Sequence, residues 1–343
     1  AGHRHPTLVQ EGSGRLNILS LMTLTVWMYN QLIVMEHGNG SDLDSAGDLS
    51  RANLVSSVLM GLFCAVGIPG NAVVVVVILL WFKKDNFTVQ LMLNLAASDI
   101  LSLMTLPMWM YNQLNVWRIG RTLCKSLVLL AYCSVYSSLL TVTVMSVHRC
   151  MQVCYPKRWA KLGKRGETAL LLTIWILGLA CSVPPVLTQE VLQKGTKKEC
   201  GRIMSQDNHR LFVTVLETLL AFVIPFSIMV TSYYCIHKKV TRGALFRSRR
   251  MTRIVTRIVV TFFIFWTPYH IINLVEIAGI LLKKSQPHSA DKLLLFINSL
   301  GDVAGSFTFI NSCVNPLLYA FASRSLRQSS KTEHTNTLPT SSV

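Results

Sequence analysis

Seven long apolar windows divide this chain and constrain its fold more than any other feature. They lie near residues 54–81, 89–114, 123–147, 169–188, 211–237, 254–282 and 293–321. Each supplies at least the roughly 20 residues that an α-helix needs to cross the hydrocarbon core of a bilayer. A spanning segment has to satisfy its own backbone hydrogen bonds, so each window is predicted to be helical. The sequence therefore predicts an all-α membrane protein, a bundle of seven transmembrane helices within residues 51–322.

Composition agrees with membrane insertion and excludes several other classes of protein. Hydrophobic residues make up 51% of the 343 residues and charged residues only 14%, with a mean hydropathy of +0.44. The net charge of +17 alone would suggest nucleic-acid binding, but the basic residues lie mostly between the apolar windows, so no nucleic-acid partner is expected. The nine cysteines include no CxxC pair, which argues against a zinc or thioredoxin-type site. Nor do Ser, His and Asp form a recognisable catalytic set, so the chain is not predicted to be an enzyme.

Orientation in the membrane follows from the distribution of basic residues between the two sets of loops. More than half of the 33 Lys and Arg residues fall on the side that holds the tail after the seventh window. The positive-inside rule thus predicts an N terminus outside and a cytosolic C terminus. We expect a multi-pass protein of the plasma membrane. The outer loops are basic too, and two interpretations are open. Their positive electrostatic potential attracts an anionic ligand, or they are simply solvated loops.

Residues 1–50 are predicted to be an extracellular tail, and they contain an anomaly. Residues 18–34 (ILSLMTLTVWMYNQLIV) nearly repeat residues 100–116 (ILSLMTLPMWMYNQLNV), which carry the kink-forming Pro107. Two interpretations compete: a genuine additional hydrophobic segment, or a duplicated exon or gene-model error, and we favour the second. Asn39 begins an Asn-Gly-Ser sequon and is predicted to be glycosylated in this tail.

Polar and ionisable residues recur inside the apolar windows, where each is costly and needs a partner or a purpose. The set comprises Asn71, Asp99, His148 with Arg149, Trp175, Pro225, Tyr233, the run from Phe265 to Tyr269, and the run from Asn315 to Tyr319. With Cys124 and Cys200 outside the membrane core, this ordered set resembles the rhodopsin-like G-protein-coupled receptors over residues 54–327. The resemblance implies a receptor that couples to a heterotrimeric G protein. The residues implied in coupling and activation are Arg149, Tyr233, Pro268, Asn315, Pro316 and Tyr319.

Two further features fit that resemblance. Cys124 and Cys200 both fall on the outer, oxidising side, so a disulfide between them is predicted. Asp99 is a carboxylate at membrane mid-depth, around which Asn71, Ser138, Asn311, Ser312 and Asn315 can offer oxygens. Such a cluster suits a sodium ion acting as an allosteric modulator, as in the resembling family, and no other cofactor is expected. The alternative is a protonated Asp99 in a purely structural hydrogen-bond network.

One motif departs from the family pattern. Where most members have Asp or Glu followed by Arg and Tyr, this chain has His148, Arg149 and Cys150. The missing carboxylate removes an ion pair that helps to hold the arginine in the inactive state. We therefore predict raised basal signalling or a different lock on Arg149, with pH sensitivity from His148 as a further hypothesis.

The windows also restrict the ligand. The third window contains no Asp or Glu, which argues against a biogenic amine, and the seventh has no Lys near its middle, so a retinal Schiff base cannot form. Arg210 with Glu217, and the run from Trp266 to Gly279, resemble the leukotriene B4 receptors, which implies a hydroxylated fatty acid whose carboxylate meets Arg210. For Glu217 and His270, a helix-to-helix hydrogen bond unrelated to ligand is the alternative. The predicted ligand contacts are Tyr132, Tyr136, Arg210, Glu217, Trp266, His270 and Asn273.

The inner surface suggests signalling partners. The basic stretch 238–257 is predicted to contact a G protein, anionic membrane lipids, or both. Residues 323–343 are predicted to be a disordered cytosolic tail rich in Ser and Thr, with phosphorylation by receptor kinases and arrestin binding as the hypothesis and a plain solvated tail as the alternative. The resemblance to the leukotriene B4 receptors implies a receptor for that lipid chemoattractant that signals through an inhibitory G protein. The alternative ligand is a peptide or another acidic lipid.

Overall fold

The computed structural model describes residues 42–82, 86–194, 197–203, 207–241, 246–283 and 285–316. Contacts divide the chain into two compact units, residues 1–48 and 49–343, and of the first unit only the start of a helix is described. The repeated segment 18–34, Asn39, Tyr319 and the tail 323–343 all lie outside the described residues. What was predicted for them stays a prediction.

Seven helical spans correspond to the seven apolar windows, so the predicted seven-helix membrane bundle is confirmed. Six spans are long and apolar enough to cross a bilayer, and a seventh helix follows them in the described part of the chain. The orientation of the termini remains a prediction. In chain order the spans are Asp42–Trp81, Phe87–Leu103 with Leu106–Leu114, Arg121–Cys154, Gly163–Thr188, Asp207–Thr218 with Leu219–Val223 and Ile224–Thr241, Phe246–Leu282, and Pro287–Thr308 continued at 310–316.

Prolines account for the irregular places in these spans, because proline has no backbone N–H to donate. Span two breaks at residues 104–105 and resumes with Pro107 in the first turn of its second helix, as the kink-forming residue predicts. Span five contains a π-helical turn, Leu219–Val223, which ends two residues before Pro225. Span six continues through Pro268. A π-turn changes the direction of side chains on either side of it, and this one begins two residues after Glu217.

Span three is the central helix of the bundle and packs against spans two, four and five. Leu91 and Leu95 of span two and Leu139 and Val142 of span three are fully buried in the main apolar core. The close approach of span four depends on Gly178, where an added Cβ would lie 2.6 Å from Ser137 Oγ. Apolar side chains on the outward faces of spans one and four are exposed, as expected of surfaces that contact lipid.

Between spans four and five the chain forms an antiparallel hairpin of β1, Gln189–Lys194, and β2, Lys197–Arg202. The sequence did not predict these strands. Cys200 of β2 is bonded to Cys124 at the start of span three, which confirms the predicted disulfide. Asn112 of span two also holds β2, because its side chain donates to the carbonyl of Cys200 (3.0 Å) and accepts from its N–H (2.8 Å). We call this end of the bundle the hairpin end and the other the opposite end.

Candidate ligand cavity and coupling residues

A cavity of about 860 Å³, called here the large cavity, lies at the hairpin end. Its volume lies within the range of drug-sized ligand sites. The wall combines an apolar surface with a few convergent polar groups. The lining residues used below are Asn112, Tyr132, Val135, Tyr136, Gln189, Lys197, Glu199, Arg202, Glu217, Ala221, Trp266, Tyr269 and Phe309.

Glu217 of span five is the centre of a polar network in this wall. Its Oε1 accepts hydrogen bonds from Tyr269 Oη (2.7 Å) and Tyr132 Oη (3.4 Å). Its Oε2 accepts from Arg202 Nη2 (3.2 Å), and the same Nη2 donates to Tyr132 Oη (3.1 Å). The network therefore joins β2, span three, span five and span six around one carboxylate. A buried ion pair such as that of Arg202 with Glu217 is stable only when its remaining polar atoms also find hydrogen-bond partners. The hydroxyl groups of Tyr132 and Tyr269 are such partners for Glu217.

Arg202 remains a cation in this setting. Burial is the largest influence on the pKa of Arg202 and lowers it, but Tyr132, Glu217 and Tyr269 together outweigh that effect, so the pKa is raised above its ordinary value. The side chain is 22% exposed, against 6% for Glu217. Arg202 thus presents a permanent, partly accessible guanidinium to the large cavity, with a geometry suited to a carboxylate.

Four of the seven predicted ligand residues, Tyr132, Tyr136, Glu217 and Trp266, are brought together in the lining of the large cavity. Arg210, His270 and Asn273 are not among its lining residues. Their role in ligand binding stays a prediction.

Each of these three residues has other neighbours. Arg210 forms an ion pair with Glu276 of span six, and the two side chains are only 8% and 11% exposed. The ring of His270 stacks on Phe222, with ring centroids 4.7 Å apart, and Asn273 Nδ2 donates to Thr218 Oγ1 (3.5 Å). These contacts tie span six to span five.

The polar residues of the cavity wall that were not predicted as ligand contacts include Arg202, Tyr269 and Lys197. Lys197 Nζ donates to the carbonyl of Gln113 (3.0 Å), so it bridges β2 to span two. The sequence did contain a signal for Arg202. This residue lies two positions after Cys200, whose disulfide bond to span three holds that part of the loop against the bundle.

The cluster around Asp99 assembles much as predicted. The Asp99 carboxylate accepts hydrogen bonds from Ser138 (2.9 Å), Ser312 (3.0 Å) and Asn315 (2.7 Å). Asn311 is buried near the same place in the sequence, but no hydrogen bond links it to Asp99 among those described.

The donor set of this cluster fits a sodium ion. Asn71 donates to the carbonyls of Gly67 (2.9 Å) and Ser312 (2.7 Å), and its own buried Oδ1 has no partner in the described part of the chain. Carboxylate, hydroxyl and amide oxygens are the ligands that hard cations prefer. Asp99, Ser138 and the orphaned oxygen of Asn71 are therefore suitable residues to hold sodium.

At the opposite end, neutral groups hold Arg149. Its Nη1 donates to Gln152 Oε1 (3.0 Å) and its Nη2 to Thr88 Oγ1 (3.3 Å). These contacts differ from the ion pair that the family pattern would supply. Raised basal signalling and a different lock on Arg149 both stay predictions.

His148 is buried by aromatic packing instead of being paired with a charge. Its ring centroid lies 5.1 Å from that of Phe87 and 4.5 Å from that of Trp159, in the short helix Pro156–Ala160. Neither ring nitrogen has a hydrogen-bond partner among the described residues. Of the other coupling residues, Tyr233 is exposed, Pro268 lies within span six and Pro316 is buried.

Comparison with known proteins supports the same architecture. A family model described as 7 transmembrane receptor (rhodopsin family) matches residues 70–319. Leukotriene B4 receptor 1 of Homo sapiens is 32% identical over 280 residues, covering 81% of this chain and 79% of that protein. C5a anaphylatoxin chemotactic receptor 1 of Danio rerio is 30% identical, covering 83% and 82%. C3a anaphylatoxin chemotactic receptor of Oncorhynchus mykiss is 29% identical, covering 80% and 75%.

Proposed function

Because this chain belongs to the rhodopsin family of seven-transmembrane receptors, we propose that its ligand is an anionic lipid chemoattractant, leukotriene B4. The chain is a G-protein-coupled receptor of the chemoattractant-receptor type, a signalling protein of the plasma membrane and not an enzyme. The finer proposal, the identity of the ligand, depends chiefly on one observation. A permanent guanidinium, Arg202, lines a cavity that also presents the apolar side chains of Val135, Ala221, Trp266 and Phe309.

An amphipathic anion matches this distribution of groups. Its carboxylate would bind Arg202, and a guanidinium–carboxylate pair is both strong and directional. When Arg202 turns toward the ligand, Glu217 keeps the hydrogen bonds from Tyr132 and Tyr269, so it is not left as a bare buried charge. The hydrocarbon chain would contact Val135, Ala221, Trp266 and Phe309. Its hydroxyl groups would meet Asn112 and Gln189.

A peptide or another acidic lipid is the alternative ligand. The same wall carries two carboxylates, Glu199 and Glu217, which would favour a basic group of a peptide. The similar proteins include a C5a and a C3a anaphylatoxin chemotactic receptor. A basic ligand would compete with Arg202 for Glu217, whereas an acidic ligand would compete with Glu217 for Arg202.

Signal transmission follows from the connections of the cavity. We propose that the hairpin end faces outside and that ligand contact with Trp266 moves span six about Pro268. That movement would open the opposite end beside Tyr233 and release Arg149 to an inhibitory G protein. In the resting state Asp99 and Ser138 would hold a sodium ion, which neutralises the buried carboxylate when bound. Receptor kinases and arrestin would act on the tail 323–343.

The test is inhibition of cAMP accumulation by leukotriene B4 in cells that express the full chain. We expect a saturable response that is weakened at least about tenfold in potency by Arg202→Ala, since a charge-assisted hydrogen bond contributes about 1.5–3 kcal/mol. Lys198→Ala is the matched control, because Lys198 is an exposed cation of the same strand and does not line the large cavity. Absence of any response at confirmed surface expression would reject leukotriene B4. A response to C5a or C3a instead would favour the peptide alternative.

A further inference from the structure

A second, smaller cavity lies in the half of the bundle nearer the opposite end, between spans three, five and six. Its volume is about 270 Å³. The lining is almost entirely apolar, with Phe226 and Met229 of span five facing Val259 and Phe263 of span six. Ser146 of span three is a polar residue in this lining. We call this site the small cavity.

The hydroxyl group of Ser146 distinguishes the small cavity from a simple packing defect. The side chain is 3% exposed, and its Oγ has no hydrogen-bond partner among the described residues. Thr141 and Thr143 of the same span donate to the carbonyls four residues earlier, those of Ser137 (2.6 Å) and Leu139 (2.9 Å). Ser146 makes no such bond to its own helix. A buried hydroxyl without a partner costs free energy, and a ligand with a complementary group would recover it.

The rim of the small cavity faces the bilayer. Val230 and Tyr233 of span five and Val260 of span six line it and are exposed. A molecule dissolved in the membrane can therefore reach Ser146 between spans five and six without passing through the large cavity. This route selects for apolar molecules, because only these concentrate in the hydrocarbon region.

We propose that the small cavity binds a small apolar molecule with a single hydroxyl group, taken up from the bilayer, whose hydroxyl pairs with Ser146 Oγ. An apolar protein cavity of about 150 Å³ accommodates benzene, so about 270 Å³ suits a branched alkylphenol or a terpene alcohol. The occupant would fill the space between Met229 and Val259. Since it binds this arrangement of spans five and six, it would favour that arrangement over any in which span six has moved away.

The probe for this site is 2,6-diisopropylphenol, compared with 1,3-diisopropylbenzene, which has the same branches and no hydroxyl. The full-length receptor in lipid nanodiscs would be photolabelled with a diazirine derivative of the phenol and the labelled peptides mapped. We expect labelling of spans five and six around Met229 and Val259, displaced by excess 2,6-diisopropylphenol. Labelling confined to other regions, or none that the excess phenol displaces, would overturn the proposal.

Two variants separate the cavity from its hydroxyl group. Ser146→Ala should weaken binding of the phenol about fivefold and leave the hydrocarbon unchanged. Val259→Phe should fill the space and weaken binding of both molecules, measured as less labelling by the phenol derivative and less displacement of that label by the hydrocarbon. Ser227→Ala is the control, because Ser227 lies on the exposed face of span five and already donates to the carbonyl of Val223 (2.7 Å). An equal effect of Ser146→Ala on the two probes would refute the hydrogen bond, and this variant remains informative if Val259→Phe does not fold.

Discussion

Arg202 Nη2 lies 3.2 Å from Glu217 Oε2, so an ion pair joins strand β2 to span five in the wall of the large cavity. Cys200, two residues before Arg202, is bonded to Cys124 of span three. The guanidinium is therefore positioned by a covalent link on one side and an ionic contact on the other. Ligand recognition by Arg202 is consequently coupled to the packing of the hairpin of β1 and β2 against the helices.

The Arg202 and Glu217 pair should be visible in the stability of the ligand-free receptor. Glu217→Gln should lower the free energy of unfolding by about 1–3 kcal/mol, because it leaves the guanidinium without its counter-ion. Arg202→Gln alone should also destabilise, since it leaves Glu217 buried with only the tyrosine donors. The double variant should lose less than the two single losses added together. Thermal unfolding would be measured for the unaltered protein, the two single variants and the double variant. Strictly additive losses of unfolding free energy would show that Arg202 and Glu217 are not energetically coupled.

The two candidate arginines should differ in their effect on ligand potency. Arg202 lines the large cavity, whereas Arg210 is paired with Glu276 outside its lining. We expect Arg202→Ala to reduce leukotriene B4 potency at least about tenfold and Arg210→Ala to shift it by less than about threefold while lowering thermal stability. Glu276→Ala is the matched control, because it breaks the same ion pair from the other side. A large potency loss in Arg210→Ala with an unchanged Glu276→Ala would restore Arg210 as the carboxylate anchor.

Sodium should weaken agonist binding through Asp99. The affinity for radiolabelled leukotriene B4 should be lower in sodium chloride than in N-methylglucamine chloride at equal ionic strength, because sodium stabilises the resting arrangement. Asp99→Asn should abolish this difference, since the amide carries no charge for the cation. Ser138→Ala, which removes one hydroxyl from the carboxylate, should reduce it. Equal affinities in the two salts for the unaltered receptor would exclude a sodium effect.

His148→Asp should lower basal signalling. An aspartate at this position can form an ion pair with the adjacent Arg149, which is now held only by Thr88 and Gln152 among the contacts described. His148→Asn is the control, because it removes the ring from between Phe87 and Trp159 without adding charge. Ligand-independent inhibition of cAMP accumulation would be compared at matched surface expression. The same basal activity in both variants would mean that the carboxylate has no special role here.

Local chemistry explains why so much of the architecture could be predicted. A spanning helix is recognised from a continuous run of apolar residues, because each run satisfies its backbone within itself. The break near Pro107 follows from one residue, and the disulfide follows from two cysteines on the oxidising side. The polar cluster around Asp99 could also be predicted, because a carboxylate in an apolar window needs polar partners. Ser138 and Asn315 are among those partners.

The composition of the cavity wall depended on the tertiary structure. Arg202 and Arg210 are eight residues apart on either side of the start of span five. The nearby Cys200 indicates that Arg202 lies close to the bundle, but the order of residues does not tell whether Arg210 also lines the large cavity. Which arginine lines the cavity depends on contacts between residues that are distant in the sequence. These contacts are the disulfide of Cys200 with Cys124, the hydrogen bonds of Asn112 to β2, and the ion pair of Arg210 with Glu276. The sequence by itself determined the membrane-spanning helices and the buried polar residues, because hydrophobicity acts residue by residue. Only the tertiary structure decided which charges meet, because an ion pair needs two side chains brought together by the packing of separate elements.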